Sequence, residues 1–170
     1  MGSVKVREAV AEDDAVIGEL LVQAFTQTYA AKMPQVVVDE KRKEELRAVE
    51  NKRARATVLV AEEAGRLVGT VALFPPGADG SEAWLPDAAD LRHLAVDPAL
   101  HGKNLSGLLM DAAEAVAVEL SVRAICLHVR RGAHGVARLY LERGYLRDTS
   151  GDLEKPNVFL EGYVLHLPKP

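Results

Sequence analysis

The sequence predicts an α/β fold: a central mixed sheet of about seven strands with helices on both faces. The first observation behind this is the order of its patterned segments. β-branched and apolar runs of strand length alternate with longer stretches of helical spacing, as strand, helix, helix, three strands, helix, strand, helix, two strands. The second is size. A chain of 170 residues, 48% hydrophobic, can bury one sizeable core and is short for a second, so one domain over residues 1–170 is expected.

Val4 to Arg7 alternates apolar and polar side chains as a short strand does, and Glu12-Asp13-Asp14 places acids at a helix start. Ile17, Leu20, Leu21, Ala24 and Phe25 then share one helical face. Asp39 to Arg55 is crowded with Lys, Arg and Glu around a thin apolar stripe through Leu46 and Val49, which reads as an exposed helix with a solvated face. Thr57 to Ala61 and Leu67 to Phe74 form a hairpin turning at Gly65, and Pro75-Pro76-Gly77 ends its second strand. A loop holding the single tryptophan, Trp84, leads to a strand through Leu94 and Val96. The next helix keeps its period through Leu105, Leu108, Leu109, Ala112, Val116 and Leu120. After it come a strand from Ala124 to Val129, a helix through Val136, Leu139 and Tyr140 that stops at Gly144, and strands over Tyr145 to Arg147 and Val158 to Leu167.

Composition narrows the function. With 21 basic and 25 acidic residues the net charge is −4, which gives no broad field for nucleic acid or an anionic membrane and favours a small partner. The N-terminus has no signal-peptide core, no apolar run approaches a bilayer span, and Cys126 is the only cysteine, so a reducing, cytoplasmic location is expected. His128 and His166 have no partners at metal-ligand spacing, and no metal site is expected.

The turn from Pro98 to Gly107 carries the chemistry. A strand, a turn rich in backbone amides and a helix beginning at that turn aim N–H groups and the positive end of a helix dipole at one point, a seat for a pyrophosphate. A nucleoside-triphosphate P-loop fails here, because Asp97 stands where its first glycine belongs and Asn104 follows Gly102-Lys103. A dinucleotide fingerprint fails as well, because the turn offers only Gly102 and Gly107, in mid-sequence.

What the turn resembles is the acyl-coenzyme A loop of the GNAT superfamily of N-acetyltransferases. The series runs Leu94-Ala95-Val96, Pro98, His101-Gly102-Lys103-Asn104-Leu105-Ser106 and Leu108-Leu109. That family's second signature is matched by Leu139-Tyr140 followed by Gly144-Tyr145, and its opening strand, acidic turn and amphipathic helix by Val4 to Phe25. The chain departs from the pattern at His101, Asn104, Ser106 and Ala133, although Asn tolerates left-handed backbone angles and Ser is nearly as compact as Ala.

The resemblance implies a sheet splayed between its fourth and fifth strands, around Leu94 and Ile125, and acetyl-coenzyme A as cosubstrate. Its phosphates would rest on backbone amides from Gly102 to Gly107, with His101 and Lys103 assisting and Asn104, Leu105 and Ser106 in the same turn. Its pantetheine arm would lie along Leu94, Ala95 and Val96. The Leu94 N–H would stabilise the oxyanion, Tyr140 would protonate the departing thiolate, and Asp90 or His93 would take the proton of a primary amine on a small molecule, peptide or protein. No serine or cysteine is placed as a nucleophile, so transfer is direct. A homodimer is consistent with the resemblance. Two readings stay open beside this one: a non-catalytic acyl-coenzyme A binding or sensing module, and a turn that no longer binds coenzyme A. The acceptor would be chosen by Gln27 to Arg55, Pro75 to Asp87 and Thr149 to Asn157.

Overall fold

The structure is a computed structural model and describes residues 3–100 and 104–168. It contains strands β1 (Val4–Glu8), β2 (Thr57–Glu63), β3 (Arg66–Phe74), β4 (Ala88–Val96), β5 (Ala124–Arg130), β6 (Leu146–Arg147), β7 (Leu153–Lys155) and β8 (Val158–His166). Its α-helices are α1 (Asp14–Lys32), α2 (Glu40–Arg47), α3 (Val49–Arg53), α4 (Leu105–Glu119) and α5 (His134–Glu142). The strands are ordered β1-β2-β3-β4-β5-β8-β6 in one sheet, with β7 paired to β8. The expected mixed sheet is there, with β7 as an eighth strand. Three residues ending in Glu154-Lys155 show too little alternation to announce a strand, and β7 exists through its pairing, Leu153↔Leu160 to Lys155↔Val158.

By its contacts the chain divides into two compact units, Met1–Ala72 with His93–Ala113, and Leu73–Arg92 with Glu114–Pro170. In the first, β1 pairs antiparallel with β2, from Val4↔Glu63 to Glu8↔Leu59. Helix α1 buries Ile17, Gly18, Leu20, Leu21 and Ala24, one stripe at helical spacing. Gly18 admits α2: a Cβ there would stand 3.1 Å from the Arg47 Cα. Asp39 caps α2, accepting a 2.8 Å hydrogen bond from the Arg42 N–H. The single helix expected over Asp39 to Arg55 is broken at Ala48, whose ψ of 55° is not helical. Leu46, Val49 and Lys52 are buried.

In the second unit β5 pairs antiparallel with β8, from Ala124↔His166 to Arg130↔Leu160, and parallel with β4 over Ala88↔Ala124 to Asp90↔Cys126. Cys126 is buried among Ala88, Ala124 and Val164, with Trp84 packed against them. The Trp84 indole N–H donates to Asp148 Oδ2 at 2.9 Å, and its ring lies 5.1 Å from that of His128. Gly151 makes this possible, since a Cβ there would be 2.3 Å from the indole.

Candidate active site

Strand β4 carries a left-handed residue, His93, within its length. This residue has φ of +57°, an uncommon conformation for a side chain other than glycine and costly inside a strand unless its surroundings hold it there. The parallel register with β5 runs from Ala88 to Asp90, while β4 itself continues to Val96. Past His93, Leu94 and Val96 are half-buried and Ala95 is buried. Gly69 of β3 keeps this segment close: a Cβ there would lie 3.2 Å from the Ala95 carbonyl and 2.8 Å from Leu109 Cδ1 of α4.

The turn after β4 is organised by Asp97. Its N–H donates to the Val68 carbonyl at 2.8 Å, its Oδ1 accepts from the Ala99 N–H at 2.9 Å, and its Oδ2 is ion-paired with Arg66. His101, Gly102 and Lys103 lie outside the described residues. Asn104 has φ of +53°, the left-handed conformation its residue type was expected to tolerate, and its carbonyl accepts from the Leu108 N–H at 3.1 Å. Its carboxamide fills the place of a side chain at Gly107, where a Cβ would stand 2.3 Å from Asn104 Oδ1. Helix α4 therefore begins at Leu105, with Ser106 and Gly107 in a first turn that holds no acid. First-turn amides lack intrahelical acceptors, so this end suits an anion.

The candidate acids and bases fall into three clusters. In the first unit, His93 stands with its Nδ1 at 3.0 Å from Lys52 Nζ and its ring 6.4 Å from that of Phe25, edge-on. Lys52 is 5% exposed. Burial, then the positive charge of Arg42, pushes its pKa down from 10.5 to about 8.

In the second unit, Asp90 is not a strand-end residue facing solvent but lies inside β4, 0% exposed. Its Oδ2 accepts from the Glu82 N–H at 2.8 Å and from Arg92 Nε at 2.7 Å, while Oδ1 has no hydrogen-bond partner. Burial raises its pKa, against the opposing pull of Arg92. Arg92 also reaches Glu82 at 2.9 Å, and Glu82 meets Lys155 at 3.3 Å, so two of the expected acceptor-choosing segments are pinned together.

The third cluster, also in the second unit, surrounds Tyr140 on α5, 6% exposed and 5.6 Å from the ring of Tyr145. The Tyr145 hydroxyl donates to Glu114 Oε2 at 3.0 Å, and Arg143 donates to Glu114 Oε1 at 2.9 Å. Burial raises the Tyr140 pKa, which keeps its hydroxyl protonated.

Thus the structure places Leu94, Ala95 and Val96 in the last part of β4, Asn104, Leu105, Ser106 and Gly107 at the start of α4, and Asp90 and Tyr140 in separate clusters. Lys52 was missed. The charge run around it reads as a solvated face, yet the spacing Leu46, Val49, Lys52 continues the apolar stripe by another turn. Among the described residues no group of His, Cys, Asp and Glu is arranged to hold a metal, and no helix is long and apolar enough to cross a membrane.

The chain matches the sequence model of the acetyltransferase (GNAT) family over residues 16–145. No curated protein matches it. Among solved structures it resembles a GNAT-family acetyltransferase from Staphylococcus aureus Mu50, with a TM-score of 0.76 and 16% identity over 98% of this chain and 100% of that one. A PaiA N-acetyltransferase from Thermoplasma acidophilum in complex with coenzyme A gives a TM-score of 0.70 and 19% identity over 94% of this chain and 98% of that one. A GNAT family acetyltransferase from Elizabethkingia anophelis with acetyl-CoA bound gives 0.66 and 11% over 96% of this chain and 98% of that one. These likenesses are of fold. The family match spans β4, the turn and the Tyr140 helix, and the chain belongs to the GNAT acetyltransferase family.

Proposed function

We propose that the whole chain is one acetyltransferase domain that moves an acetyl group from acetyl-coenzyme A directly to an amine. The observation that carries this reading is the left-handed His93 inside β4, after the β5 register has ended at Asp90, together with the left-handed Asn104 and the acid-free start of α4. These residues fit the cosubstrate. Gly107 leaves its position to the Asn104 carboxamide, and the first turn of α4 presents amides without a competing carboxylate, as a pyrophosphate requires.

Acetyl-coenzyme A supplies an activated thioester. The residues of the chain do the rest. The Leu94 N–H donates to the thioester carbonyl oxygen and holds the oxyanion as the amine adds. His93 or Asp90 accepts the amine proton, because an amine with a pKa of about 10 is mostly protonated at neutral pH and attacks only once deprotonated. Tyr140, kept protonated by burial, donates a hydrogen bond from its hydroxyl to the departing thiolate, which takes its proton from solvent. The acceptor is a primary amine on a small molecule, a peptide or a protein.

The test is release of thiol on mixing the protein and acetyl-coenzyme A with a panel of polyamines, amino acids, aminoglycosides and peptides. Release with at least one amine is expected, and Tyr140→Phe should lower kcat about a hundredfold with acetyl-coenzyme A affinity retained. Release by the variant as fast as by the parent would remove Tyr140 from the donor role. Saturable acetyl-coenzyme A binding with no release for any amine would make the protein a binding module.

A further inference from the structure

Lysine is seldom fully buried without an acidic partner. Lys52 is 5% exposed, and among the described residues no carboxylate pairs with it. The acid that α1 turns toward α3, Asp14, is occupied by Arg53 through hydrogen bonds of 2.6 and 2.7 Å. From α2 the charge that reaches Lys52 is that of Arg42. From β2, Val58, Leu59, Val60 and Ala61 are buried and apolar. From β4 the facing group is His93, whose Nδ1 is 3.0 Å from Lys52 Nζ.

This hydrogen bond can be made in two ways. A Lys52 ammonium donates to the Nδ1 lone pair, which puts the imidazole proton on Nε2. A neutral Lys52 amine accepts from Nδ1–H, which leaves the lone pair on Nε2. Only the second arrangement gives His93 a basic nitrogen on the side away from Lys52. His93 is also the left-handed residue inside β4, directly before Leu94.

We propose, resting on the acetyl-transfer reading above, that Lys52 is a positioning residue which sets the His93 tautomer and receives its proton. His93 takes a proton from the acceptor amine at Nε2 while the Nδ1 proton passes to Lys52 Nζ. The N–H bond of the amine and the Nδ1–H bond break, and Nε2–H and Nζ–H bonds form. The imidazole ends neutral, Lys52 ends as an ammonium and later gives its proton to solvent, and the amine nitrogen bonds to the acetyl carbon as the carbon–sulfur bond breaks. Burial supports the relay, because a lysine whose pKa is near 8 is neutral in a minor but substantial fraction of molecules at physiological pH, roughly a fifth, where an exposed lysine is neutral in about one in a thousand.

The experiment is the pH profile of kcat for thiol release between pH 6 and 9.5. The parent is expected to rise to a plateau with a break near the Lys52 pKa of about 8. In Lys52→Met the break should move to the ordinary histidine range, about 6.5, with a plateau roughly tenfold lower and an unchanged KM for acetyl-coenzyme A. Lys52→Arg keeps a cation beside Nδ1 but stays charged, so it should fall roughly a hundredfold and lose the break altogether. Without substrate, the ring nitrogens of 15N-labelled His93 should respond near pH 8 in the parent and not in Lys52→Met. An unchanged break in Lys52→Met, or His93 nitrogens indifferent to that substitution, overturns the relay while leaving acetyl transfer standing. A parent that binds acetyl-coenzyme A and acetylates no amine overturns both.

Discussion

Replacing Lys52 with methionine should make the protein more stable and less active at once. The folded state lowers the pKa of this lysine from 10.5 to about 8, so below pH 8 it holds an ammonium that the unfolded chain hydrates better. At 1.36 kcal/mol for each pKa unit, this penalises the folded parent by about 3 kcal/mol. Methionine fills a similar volume without charge but loses the hydrogen bond to His93, which offsets about 1 kcal/mol of the gain. The net expectation at pH 7 is about 2 kcal/mol of added stability, or roughly 4–8 °C in Tm for a chain of this size. The gain shrinks as pH rises and changes sign at about pH 10, where the vanishing burial penalty falls below the roughly 1 kcal/mol of the lost hydrogen bond. Between pH 8 and 10.5 the unfolded state binds more protons than the folded one, so the stability of the parent rises with pH in that window and its deficit against Lys52→Met closes. Urea unfolding of both proteins at pH 7, 8, 9 and 10 measures this. A variant less stable than the parent at pH 7, or a difference that does not shrink between pH 8 and 10, would refute the reasoning. Stability gained with activity lost marks a strained functional position; a residue that only fills space would lose both.

Two further outcomes follow from other sites. Gly162→Ala should destabilise by about 3 kcal/mol in urea unfolding, because the new Cβ would stand 2.7 Å from the Asp148 carbonyl oxygen and 3.0 Å from the Gly151 Cα, backbone that a rotamer change cannot move aside. Asp90→Asn should gain stability relative to the parent as pH rises. The raised pKa of Asp90 means that its ionisation opposes folding, an effect absent below the unfolded value of 3.8 and growing above it, so unfolding at pH 3.5 and 6.5 should show the difference widening.

Much of the fold was legible because its signals are local. The acids before α1, the alternation of β1 and the tolerance of Asn104 for a left-handed backbone each act within a few residues. The expected buried face of α4 was partly misplaced. Leu105 and Leu109 are buried, but the stripe continues through Met110, Ala113 and Ala117, and Leu120 is exposed. This helix is apolar nearly all round, so periodicity does not fix its phase; small alanines, which let a helix approach a sheet, take the inner face. The +57° φ of His93 was not legible at all, because no local preference of histidine demands it and the strand imposes it from outside. Lys52 was hidden for a different reason: its charge marks a surface residue, although its spacing from Leu46 and Val49 puts it on the buried stripe.

The choice between Asp90 and His93 as proton acceptor turns on access and on prior commitments. Asp90 is 0% exposed, and its Oδ2 already holds the Glu82 amide and Arg92, which in turn grips Glu82 and stacks 5.1 Å over Phe74. To meet an amine it would have to open this cluster, which fastens the loop before β4 to the strand itself. A buried carboxyl that resists ionisation and holds a loop in place is a structural clamp with one unmatched oxygen, Oδ1. His93 is half-buried, is the left-handed residue inside β4 beyond the register with β5, and adjoins the Leu94 amide assigned to the oxyanion. Its partner Lys52 is itself titratable near neutral pH, which a clamp does not need and a proton relay does. On the proposed mechanism the same strand divides its work, with the register up to Asp90 supporting the sheet and the segment from His93 onward serving acetyl transfer.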